Sequence, residues 1–97
     1  MNIDSSKIID FLNLECLNYR IFKITSVKPP NELIDGCFTL LTRENEFDTL
    51  FSKNSTINVL VVIPSNLRKK AENKPFTFLL SDDVRTDFVK GMHNIIK

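Results

Sequence analysis

The chain has 97 residues, 42% of them hydrophobic and 26% charged, and its thirteen basic and twelve acidic residues leave a formal net charge of +1. That length suits one domain (1–97) with a single core, large enough to fold without disulfides or a structural metal, and the balance excludes a disordered or fibrous chain. So small a net charge offers no global field toward nucleic acid or an anionic membrane, and any such binding has to come from a local patch.

Met1 to Lys7 carries Asp4 and Lys7 without an apolar core, so it does not read as a secretory signal, and the expected location is the cytoplasm. A helix follows. Ser5 or Ser6 caps it, and Ile8, Ile9, Leu12 and Cys16 recur at helical spacing with Phe11 alongside. Near Tyr19 the residues become β-branched and aromatic (Tyr19, Ile21, Phe22, Ile24, Thr25, Val27), which predicts a strand ending at Pro29 and Pro30. Leu33 to Leu41 reads as a second strand with an irregular start, because Asp35-Gly36 marks a bulge or tight turn; the alternative is a small hairpin turn that splits the segment in two.

Glu44 to Lys53 is expected to be helical, with Phe47, Leu50 and Phe51 as its stripe and Glu44, Glu46 and Asp48 near its positive end. Thr56 to Ile63 is the clearest strand. Ile57 and the run Val59–Ile63 leave only Asn58 polar within it, as in a strand covered on both faces. That run is also the longest apolar one, far too short to span a bilayer. After Pro64, the polar stretch Ser65 to Lys74 holds one short helix from Asn66 to Glu72. Phe76 to Leu80 gives a fourth strand. Ser81 to Ile96 gives the last helix, with Ser81 as N-cap, Asp82 and Asp83 at its positive end, and a stripe of Val84, Phe88, Met92 and Ile95. Gly91 inside that helix costs about 1 kcal/mol relative to Ala, and close packing on the sheet would account for it.

The predicted class is therefore α+β, an α/β sandwich of order α-β-β-α-β-(short α or loop)-β-α with a four-stranded mixed sheet. The helix between the second and third strands argues for a parallel pair there. The Pro-Pro turn argues for an antiparallel pair between the first and second strands.

Chemistry-bearing residues are few. Cys16 and Cys37 sit among apolar neighbours and read as buried free thiols; with one distant histidine they lack the spacing of a zinc site. His93 has no nucleophile or carboxylate forced beside it, and helix-cap chemistry accounts for Asp82 and Asp83. No phosphate-cradling glycine loop and no serine-nucleophile elbow occurs. An enzyme is not expected, nor a cofactor or metal.

One local concentration of charge remains: Arg68, Lys69 and Lys70, with Lys74 beyond Glu72. Phe76 and Phe78 follow on one face of a strand, and basic residues beside stacking aromatics are what single-strand nucleic-acid binders use. The simpler expectation is a solvated connection whose phenylalanines fill the core. By elimination, the sequence points to a non-enzymatic protein-interaction module, an accessory subunit, inhibitor or immunity-type protein docking on a larger partner. The alternative is a nucleic-acid-binding domain using the segment 68–74. The direction in which Phe76 and Phe78 face separates the two.

Overall fold

The computed structural model describes residues 2–45, 47 and 58–96. In chain order its elements are β1 (Ile3–Asp4), α1 (Ser5–Leu12), β2 (Glu15–Leu17), β3 (Lys23–Ile24), β4 (Ser26–Val27), a 3-10 turn (Pro30–Glu32) and β5 (Cys37–Leu40). After the undescribed stretch come β6 (Val59–Pro64), a second 3-10 turn (Ser65–Leu67), α2 (Arg68–Ala71), β7 (Thr77–Ser81) and α3 (Val84–Ile96). The main sheet has five strands in the order β2-β7-β6-β5-β4, and β1 pairs with β3 in a separate two-stranded ribbon.

β6 organises the core. Val59, Val61 and Ile63 point to one face and Leu60 and Val62 to the other, all fully buried. Period-two alternation places an all-apolar strand between two cores, as its composition predicts. It pairs in parallel with β5 on one side and β7 on the other. The four strands β4 to β7 run parallel and add one after another in a single direction. The residues connecting them, Leu33, Phe47, Leu67 and Ala71, all pack on one face. Ile8 and Ile9 of α1, with Val84 and Phe88 of α3, pack on the other, where the two helices also meet. The sheet is thus covered on both sides.

A glycine permits the closest contact on that second face. A Cβ placed on Gly91 would lie 2.7 Å from Cζ and 2.9 Å from Cε2 of Phe38. Gly36 has a different reason. At φ +82° it turns the chain into β5, and a Cβ there would meet the Lys23 carbonyl oxygen at 2.8 Å.

Several expectations need correction. The main sheet has five strands, not four, because residues Glu15–Leu17, at the end of the expected first helix, form β2. Asn13 adopts a left-handed conformation (φ 53°), its N–H bonds the Ile9 carbonyl, and the helix ends at Leu12. Cys16 then lies on β2, antiparallel to β7. The stretch Tyr19 to Val27 is not one strand. Lys23–Ile24 joins β1, while Ser26–Val27 joins the main sheet.

The Pro-Pro turn does not make a hairpin. Pro29 and Pro30 open a short 3-10 crossover, and β4 and β5 run parallel rather than antiparallel. At the last helix, Ser81 completes β7, and the capping carboxylate belongs to Asp83, which accepts from the Thr86 N–H (3.4 Å) and hydroxyl (2.9 Å). Most of the helix expected over 44–53 lies outside the described residues, including Glu46, Asp48, Leu50 and Phe51. Phe47 is described: it is helical and buried.

Candidate functional site

The basic segment folds as the sequence suggests. Leu67 and Ala71, four residues apart, turn inward to the sheet, which leaves Arg68, Lys69 and Lys70 exposed. The charge of Arg68 and of Lys70, however, is answered within the chain. Arg68 pairs with Glu15 on β2 and, at 3.4 Å, with Glu72 one turn on. Lys70 Nζ lies 2.7 Å from a Glu44 carboxylate oxygen. Lys69 has no ion pair among the described residues. Lys74 is exposed beyond the helix, and its N–H bonds the Ala71 carbonyl. Exposed pairs of this kind add little stability, on the order of 0–1 kcal/mol each, but they lower the positive potential that a phosphate backbone would meet.

The aromatic half of the constellation is not at the surface. Phe76 and Phe78 are 1% and 0% exposed and belong to the core under α2. Phe78 stacks on Phe47 with ring centroids 6.0 Å apart, and Phe76 lies against Phe78 at 6.4 Å. These rings are unavailable for stacking on bases.

The two thiols sit on opposite faces of the sheet. Cys16 packs against the α1/α3 core, and Cys37 belongs to the other. Their strands are three places apart in the sheet, about 14 Å at the usual spacing, which no disulfide spans. Both thiols are free. Burial pushes Cys16 from 9.0 up to about 11 and raises Cys37 for the same reason. The unfolded chain therefore releases these protons at lower pH than the fold does. Their contribution to stability is intact below about pH 9 and is lost as pH rises toward about 11. Denaturant midpoints measured across that range should fall, less so for Cys16→Ala; an equal fall in that variant would show that Cys16 is not the group responsible.

His93 is exposed, and Asp82 and Asp83 bond to Ser65 and Thr86 respectively. Among the described residues no three metal-ligating side chains cluster, and no helix is long and apolar enough to cross a membrane.

Two features escaped the sequence reading. The first is the stretch 18–22, which is bonded at one end to the start of β7 and at the other to the start of α1 without joining the main sheet. Every second residue is tied down. Asn18 Nδ2 donates to the carbonyls of Pro75 (2.7 Å) and Phe76 (3.1 Å). The Arg20 carbonyl accepts from the buried Ser5 hydroxyl (2.7 Å), which itself accepts from the Phe22 N–H (3.0 Å). Between these anchors Tyr19 and Ile21 are 54% and 63% exposed. The second is a cavity of about 200 Å³ beyond the carboxyl end of β5, lined by Pro30, Leu40, Thr42 and Arg85.

No known family model matches the sequence, and no curated protein is significantly similar to it.

Proposed function

We propose that the protein is a non-enzymatic interaction module, an accessory subunit, inhibitor or immunity-type protein, and that it contacts its protein partner through Tyr19 and Ile21. The observation that carries this reading is the alternation along 18–22. Hydrogen-bond anchors at 18, 20 and 22 hold the segment in place, and two large apolar side chains project from it. An anchored segment loses little conformational freedom when a partner covers it, and aromatic residues are enriched in interface cores. Phe11, 57% exposed on α1, adds a further apolar side chain at the surface. Internal pairing of Arg68 and Lys70 and burial of Phe76 and Phe78 weigh against nucleic acid.

The test compares retention of proteins from native extract by the wild type and by a Tyr19→Ser/Ile21→Ser variant. Each side chain is more than half exposed, so the double change should leave the melting temperature nearly unaltered. A protein retained by the wild type and lost with the variant is the expected result. Equal retention by both would remove this segment from the interface.

A further inference from the structure

The parallel strands β4 to β7 share one carboxyl end, and because they add in a single direction there is no topological switch point, so the cavity's own lining decides what it can hold. Here that end gathers the residues that follow β5, the first turn of α3 after β7, and the turn that opens the β4-to-β5 crossover. The cavity lies among them. Pro30 and Leu40 supply apolar wall, Thr42 supplies a side-chain hydroxyl, and Arg85 supplies a fixed positive charge. Leu40 is the last residue of β5, which is paired in parallel with β4 on one side and β6 on the other.

Lys23, Arg68 and Lys70 each have a carboxylate partner; Arg85 has none among the described residues. The three aspartates flanking Arg85 are each engaged elsewhere. Asp82 accepts from the Ser65 hydroxyl (3.0 Å), Asp83 from Thr86, and Asp87 from the Ser81 hydroxyl (2.5 Å). Arg85 therefore lines the cavity with no hydrogen bond or ion pair from its side chain among the described residues. The positive end of α3 adds nothing to this, because Asp83 already caps it.

We propose that this cavity binds a small organic carboxylate, its oxygens held by Arg85 and its short apolar body against Leu40 and Pro30. Guanidinium and carboxylate match as a two-pronged pair, which a lysine cannot reproduce. At about 200 Å³ the space lies below the ~300 Å³ where drug-sized sites begin, so the ligand is small. Asp82, Asp83 and Asp87 stand within three positions of Arg85 in the chain, and their negative charge disfavours a phosphate dianion more than a singly charged carboxylate.

The probes are butyrate, acetate and inorganic phosphate, each titrated into ¹⁵N-labelled protein while amide shifts are followed by NMR. Butyrate should give saturable shifts at Thr42 and Arg85, acetate weaker ones for want of an apolar body, and phosphate the weakest. Arg85→Gln should weaken butyrate binding about tenfold or more, and Arg85→Lys should recover only part of it. Arg85 is exposed, so neither change threatens the fold. Lys90→Gln on the same helix should leave the titration unchanged. Shifts that never saturate, that persist in Arg85→Gln, or that favour phosphate over butyrate would overturn the proposal.

Discussion

Leu60→Ala should lower the unfolding free energy by about 2–5 kcal/mol, and Val62→Ala by less, with midpoints in denaturant falling accordingly. Both side chains are fully buried at the centre of the five-stranded sheet, with α1 and α3 pressed over them. A strand hydrogen-bonded on both sides cannot move to fill the vacated space, so the cost includes the cavity as well as the lost burial. A midpoint unchanged in both variants would remove β6 from the core and with it the arrangement of every strand beside it.

Gly91→Ala should also destabilise, although Ala favours a helix by about 1 kcal/mol over Gly. The added methyl would press on the fully buried Phe38 ring at 2.7–2.9 Å. That ring cannot swing aside, because it stacks on Phe88 with centroids 4.8 Å apart. Overpacking of this kind costs about 1–3 kcal/mol, which outweighs the propensity gain. Coupling is the sharper test. Phe38→Leu shortens the reach of the offending side chain, so Gly91→Ala should cost less in that background than in the wild type. Additive effects, or a stabilising Gly91→Ala, would show that the helix does not sit this close to β5.

What was legible in the sequence follows a physical division. β6 announced itself, because a strand buried on both faces has no room for polar residues. The parallel pairing of β5 with β6, the short helix after Pro64 and the packing reason for Gly91 were also readable from local chemistry. The errors arose where one residue's backbone decided the outcome. Asn13 in a left-handed conformation ends α1 and frees Cys16 for a strand; asparagine is a recognised helix stop, but the apolar spacing of Leu12 and Cys16 carries the helical pattern across it. Pro29-Pro30 stops any element equally well whether a hairpin or a crossover follows.

The candidate sites divide in the same way. The basic segment 68–74 was visible as a local run of charge. Its neutralisation was not, because Glu15 lies 53 positions from Arg68 and meets it only through the sheet. Tyr19 and Ile21 looked like strand residues, and their display depends on bonds to Ser5, Pro75 and Phe76. Arg85 carried one faint signal: Phe88 and Val89 occupy the next helical positions on its side, so no acid follows it there.

Whether this chain meets a protein or a nucleic acid is tested most directly by titrating it into a labelled single-stranded oligonucleotide near 150 mM salt. There, surface charges act only within about 8 Å. With Arg68 and Lys70 paired to carboxylates and Phe76 and Phe78 in the core, the expected result is no saturable binding by the wild type. The contradicting result is tight binding that weakens steeply with added salt and disappears when Arg68, Lys69 and Lys70 are changed to Glu.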